Sequence, residues 1–128
     1  MTKDTLEMSL VRARCVPDGR SEIISIRVDR DLIEERLISR TEEVLEPGRS
    51  RALHLAADHP LHGPVTYLQH ITAGAFFVYV GSPEQLEEHV FGPADWVAFN
   101  DNHGLGHASK VGPDGCTRMF HLLRGQLS

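Results

Sequence analysis

Two cysteines, no block of lysine and arginine, and no long apolar run: the scarcities of this 128-residue chain narrow what it can be. Cys15 and Cys116 stand far apart with no partner at metal-ligand spacing, so a cysteine-based zinc site is excluded. They read as free thiols of a cytoplasmic protein, with one long-range disulfide as the alternative. The absence of a basic block removes the electrostatic footprint expected for nucleic acid or an anionic membrane, and the formal charge of −5 agrees. The first ten residues, MTKDTLEMSL, hold no apolar core of a secretion signal, and no apolar run approaches the ~20 residues of a membrane helix.

What is present is an ordinary globular composition, 41% hydrophobic and 24% charged, at a length that suits one domain over residues 1–128. Turn signals recur at 17–20, 46–50, 59–64, 81–83, 91–95, 102–106 and 112–115, with short apolar segments between them. That cadence predicts an all-β sandwich or barrel. Leu6 to Val16 and Ser21 to Val28 read as a hairpin; Thr66 to Val80, Trp96 to Phe99 and Thr117 to Leu123 are further strands, with Gly74 suited to a turn or bulge. One segment departs from the pattern. Asp31 followed by Glu34 resembles a capping box, and Ile33 and Leu37 share a helical face, so a short helix is predicted over 31–39, returning to strand in TEEVL.

Eight histidines stand in this small chain, and imidazole is both the commonest metal ligand and the side chain whose charge changes near neutral pH. Each has a plain structural alternative. His54 lies in RALHLAAD, where strand alternation sets Leu53 and Leu55 on one face and His54, Ala56 and Asp58 on the other. His54 and Asp58 would then be about 13 Å apart on a straight strand, too far to share one ion. His59 precedes Pro60 and His62 precedes Gly63-Pro64, which reads as a surface loop. His103 and His107 have helical spacing, but the two glycines between them argue for a loop that could turn one imidazole inward. His70 and His121 sit on strands as structural residues, and His89 lies among acidic residues at the surface.

These pieces resemble the cupin family of small β-barrels. Its first motif has the form G-x5-H-x-H, a short spacer, then E-x6-G, and here Gly48 is followed after five residues by His54. Its second motif is matched in outline by GPADWVAFNDNHGLGHAS, with Ala94-Asp95 in place of Gly-Asp and His107 or His103 in the histidine position. The likeness spans roughly residues 41 to 123. Two positions depart: the second histidine falls on Ala56 and the glutamate on Tyr67. An insertion over 57–61 would bring His62 into the vacated place, so the resemblance implies a site of His54, His62 and His107, with His59, His103 and Asp58 as further donors.

Such a site would hold one divalent transition metal, Fe(II) first, with Zn, Ni or Mn as alternatives, and leave positions open for a small-molecule substrate. Tyr67 and Gln69 share a strand face and could serve as hydrogen-bonding or acid–base groups in the barrel. The simplest activity on this resemblance is an oxygenase. An isomerase, cyclase or lyase in the same pocket, or a metal-free ligand-binding or interaction domain, are the alternatives, since one fold hosts many functions. The resemblance also implies a homodimer through edge strands such as Glu22 to Val28.

Overall fold

The structure is a computed structural model and describes residues 4–14 and 19–127. The N-terminal hairpin forms as its sequence suggests: β1 (Thr5–Ala13) runs antiparallel to β2 (Ser21–Asp29), in register from Thr5 opposite Asp29 to Ala13 opposite Ser21. Of the expected turn at 17–20, Pro17 and Asp18 lie outside the described residues, as does Cys15. Cys116 is buried and free.

The helix is real but placed differently. α1 spans Arg30–Arg36, and its N-cap is Asp29, whose carboxylate accepts from the Asp31 backbone N–H at 2.9 Å. Asp31 therefore lies in the first turn, where its charge suits the positive end of the helix, and the capping box with Glu34 does not form. Glu34 pairs instead with Arg40. The helix ends before Leu37, short of the expected Ser39, because Leu37 is already extended and enters β3 (Leu37–Leu45), whose ladder with the last strand claims these residues. Tertiary pairing overrides the local helical pattern here.

After β3 comes the short β4 (Ser50–His54), then β5 (Val65–Ser82), β6 (Gln85–Phe91), β7 (Trp96–Phe99) and β8 (His107–Arg124). They form one mixed sheet in the order β2-β1-β7-β5-β8-β3, with β4 added on β8 and β6 on β5. Among the described strands, β1 and β7 are the one pair that runs parallel. The two long strands pair from Val65 opposite Arg124 to Tyr79 opposite Ala108, and their register slips between Ile71 and Ala73 and again between Gly74 and Phe76. At the second slip Gly74 faces Cys116 while Phe76 faces Val111, so residues 112–115 loop out as a bulge. The GPDG segment, expected to end a strand, is thus carried inside β8. Bulges of this kind bend a strand and increase its twist, and they let β5 and β8 serve both halves of a closed-up barrel.

Alternation along the curled sheet divides the apolar residues into two cores. One contains Val11, Ile71, Phe76, Val78, Val97 and Phe99; the other contains Leu6, Leu10, Ile33, Leu68, Ala98 and Leu123, with α1 packed on it through Ile33. Along β5 the switch is residue by residue: Tyr67 packs against the first core, Leu68 lies in the second and Ile71 in the first. The first core is the one that opens into a cavity. Among the described residues no helix is long and apolar enough to cross a membrane.

Candidate active site

A cavity of about 350 Å³ opens on the first core, lined by residues of β3, β4, β5, β7 and β8. That volume lies in the range of small-molecule sites. His54 and His107 stand together in its wall as a cross-strand pair of β4 and β8, with ring centroids 4.4 Å apart. Gly106 permits the approach: its φ is +77°, and a Cβ there would lie 2.1 Å from the His54 carbonyl oxygen. The Phe99 ring covers His107 from the other side at 4.5 Å.

Each of these imidazoles is held by its Nδ1. His107 Nδ1 is 2.8 Å from Asp101 Oδ2, both residues being buried, and His54 Nδ1 is 2.9 Å from the Ala52 carbonyl oxygen. A carboxylate and a carbonyl accept, so Nδ1 carries the hydrogen in both rings, and Nε2 is the nitrogen left to take or give a proton. Burial holds His54 below the ordinary histidine range, against a smaller upward pull from its bond to Ala52; the neighbouring His107 and Arg51 lower it further. His54 is consequently neutral at pH 7.

The opposite wall is built on Arg118. Its guanidinium reaches Glu43 across the β3–β8 ladder at 2.9 Å through Nε and 2.7 Å through Nη2, and donates to Gln69 Oε1 at 2.6 Å through Nη1. The rings of Phe120 and Phe76 flank it at 4.8 Å and 5.8 Å. Tyr67 also lines the cavity and donates its phenolic hydrogen to the Ala57 carbonyl at 2.6 Å. Burial, with a smaller contribution from Asp58, raises its pKa, so it remains a phenol at neutral pH. Arg49 and Arg51 complete the lining from the β4 side, and no ion pair with another described residue joins either one.

Of the three histidines expected as ligands, the structure unites two. His62 packs in its loop against His59, ring centroids 4.8 Å apart, and neither lines the cavity. The loop closes on itself through paired backbone hydrogen bonds between His59 and Gly63, and His59 Nδ1 accepts from the Leu61 N–H. Of the expected group, His54 and His107 are brought together, while His62 is held in this turn apart from them. β4 stops at His54, so Asp58 is not on a shared strand face; it accepts from Asn102, whose side-chain oxygen also contacts His103. Asp58, His59 and His103 lie outside the cavity lining, whereas Tyr67 and Gln69 belong to it.

Among the described residues, no three of histidine, cysteine, aspartate and glutamate are gathered to hold an ion. Glu43 is the carboxylate of the cavity lining, and it is engaged by Arg118. The donor set around His107 is therefore two imidazoles, short of the three protein ligands of a catalytic metal site, and does not fit a resident metal.

Asp101 and Arg118 are the site residues that pattern reading passed over. A signal for the first was available: Asp101 precedes His107 by six residues across a loop with two glycines, a length that lets a carboxylate reach back to an imidazole. For Arg118 there was none, since its partners come from β3 and β5.

No family model matches the chain, and no curated protein does. Solved structures do. ChmJ, a 3'-monoepimerase from Streptomyces bikiniensis in complex with dTDP-quinovose, is 15% identical, covers 99% of this chain and 68% of its own, and superposes with a TM-score of 0.52. The Drosophila melanogaster CENP-C cupin domain is 13% identical, covering 91% of this chain and 70% of that one at a TM-score of 0.47. Drosophila melanogaster CENP-C bound to CAL1 gives 14%, 90%, 80% and 0.46. At these identities the likeness is one of architecture: the chain is an all-β, cupin-like barrel with a single short helix among the described residues.

Proposed function

We propose that this barrel is a small-molecule isomerase that works by proton transfer, with His107 as the base and no resident metal. The observation that carries the reading is the buried Asp101–His107 hydrogen bond at 2.8 Å beside a cavity of about 350 Å³. A carboxylate on Nδ1 fixes the tautomer and stabilises the imidazolium once Nε2 has taken a proton. The reaction that suits such a base is removal of a proton from carbon next to a carbonyl. The electron pair of the broken C–H bond moves to the carbonyl oxygen, and the proton returns to the opposite face or to a neighbouring carbon.

Tyr67, kept as a phenol, is the proposed acid for that return, and Gln69, held at its oxygen by Arg118, is a hydrogen-bonding group for the substrate. Arg49 and Arg51 supply positive charge with no ion-pair partner among the described residues, which favours an anionic substrate carrying a carboxylate or phosphate. The fold likeness to an epimerase acting in a sugar-nucleotide complex agrees with this class. Oxygenase chemistry would require iron held by three protein ligands, and the described donors gather two.

The test is solvent-deuterium incorporation. The chain is incubated in D2O with a panel of anionic carbonyl compounds, including nucleotide-linked keto-sugars and 2-oxo acids, and the α-carbon is followed by NMR. Incorporation that survives a chelator and is lost in His107→Gln supports the proposal. Activity abolished by chelator and restored by Fe(II), or binding of a panel compound with no exchange at all, would replace it with the oxygenase or the metal-free binding reading respectively.

A further inference from the structure

Ser21 stands 80 residues from Asp101 in sequence, yet its hydroxyl donates to Asp101 Oδ2 at 2.7 Å, the same oxygen that His107 Nδ1 contacts at 2.8 Å. All three groups are buried: Asp101 is 0% exposed, Ser21 2% and His107 5%. Asp101 Oδ1, by contrast, has no hydrogen-bond partner among the described residues. A carboxylate can accept about four hydrogen bonds, and leaving one oxygen bare while the other takes two donors is costly in a buried place. Relief by swinging the carboxylate is opposed because Ser21 is itself fixed, paired with Ala13 in the β1–β2 ladder.

A second set of contacts ties the same segment to the same loop. The Leu105 N–H donates to the Gly19 carbonyl at 3.1 Å, and Arg20 bridges Gly106. The backbones touch so closely that a Cβ on Gly104 would lie 2.0 Å from the Gly19 oxygen. The chain entering β2 is thus seated on the loop that carries Asp101 toward His107.

We infer that Ser21 is a positioning residue for His107, acting through Asp101. This rests on the reading of His107 as the base, but it concerns the tautomer and restraint of the imidazole and can be measured with no substrate present. Two donors from different strands define the plane of the Asp101 carboxylate, and that plane aligns the Nδ1–H of His107. With the Ser21 hydroxyl removed, the carboxylate turns toward donors for Oδ1 and the imidazole loses its single tautomer.

The experiment uses the full 15N-labelled chain, with the imidazole nitrogens of His107 observed by NMR and the solvent exchange of its Nδ1–H timed. In Ser21→Ala the exchange quickens about tenfold and the nitrogen shifts move toward a tautomer mixture, while Ser21→Thr, which keeps the hydroxyl, restores the wild-type pattern. Should Ser21→Ala fail to fold, Ser21→Cys replaces a strong donor by a weak one at nearly equal volume and moves the readout in the same direction. A variant that only melts at lower temperature, with His107 tautomer and exchange unchanged, overturns the inference. If His107→Gln leaves deuterium incorporation untouched, the acid–base reading fails while the Ser21 result stands.

Discussion

The barrel buries histidine on both faces of its sheet, and the two places differ in what surrounds the ring. On the cavity side His107 is bonded to a buried carboxylate, touches a second imidazole and borders open volume. On the far side His121 contacts the Leu68 carbonyl oxygen through Nδ1 at 3.2 Å and packs near Trp96, which in turn stacks on His70 at 4.1 Å and 5°. No carboxylate contacts the His121 ring among the described residues, and neither His70 nor His121 lines the cavity. Burial alone therefore does not make an imidazole chemical. An anionic partner on Nδ1 and a place in the cavity lining are what set His107 apart from His121.

The largest expected effects break this contrast directly. His107→Gln should lower deuterium incorporation by roughly 10²–10⁴-fold with the fold intact, whereas His121→Gln should leave the rate near wild type. Asp101→Asn, which keeps shape but cannot hold the same tautomer, should lose up to about 10⁴-fold. Equal losses at His107 and His121, measured on samples with matching circular dichroism, would erase the distinction between the faces.

Stability should divide in the opposite sense. Leu68→Ala empties a fully buried site in the second core and should cost about 2–5 kcal/mol in a denaturant titration, with little change in rate for the molecules that remain folded. Arg51→Gln, at the exposed cavity margin, should leave the denaturation midpoint unchanged and weaken binding of an anionic compound by up to about tenfold. Added salt should mimic that loss in the wild type and have less effect on the variant.

The smallest effect is a pH dependence common to both faces. Burial lowers the pKa of His54, His70 and His121 in the folded chain. The unfolded chain consequently binds more protons between the depressed values and the ordinary 6.5, so the stability from keeping these rings neutral is present above pH 6.5 and declines as pH falls through that window. Thermal melts from pH 7.5 to 5 should show a falling midpoint, and His121→Gln should flatten the slope. A midpoint that rises on acidification would contradict the burial assigned to these rings.

Much of the architecture was legible. Residues 96–99 form the strand that their apolar run suggests, β1 and β2 form the expected hairpin, and Gly74 sits at a bulge. These features arise from side-chain alternation and local backbone freedom, which a linear pattern records. The helix cap missed by two residues because Asp29 and Asp31 are both plausible caps in isolation, and the strand that follows decided between them. In the site, His54 was placed by its distance from the turn at Gly48, and Tyr67 and Gln69 by their shared face. His62 stands outside the cavity lining, and a register argument cannot tell whether an inserted loop folds back or closes on itself.

By itself the sequence determined an ordinary globular composition, a barrel-like run of short strands and a supply of imidazoles near turns. Only the tertiary structure decided which imidazole gained a buried carboxylate beside the cavity. Asp101, Ser21 and His107 are brought onto one oxygen by three separate stretches of chain. Alternation fixes which face a residue takes, but the meeting of remote faces depends on bulges, strand order and the close backbone approaches of Gly104 and Gly106. Those are properties of the closed sheet, and no local pattern contains them.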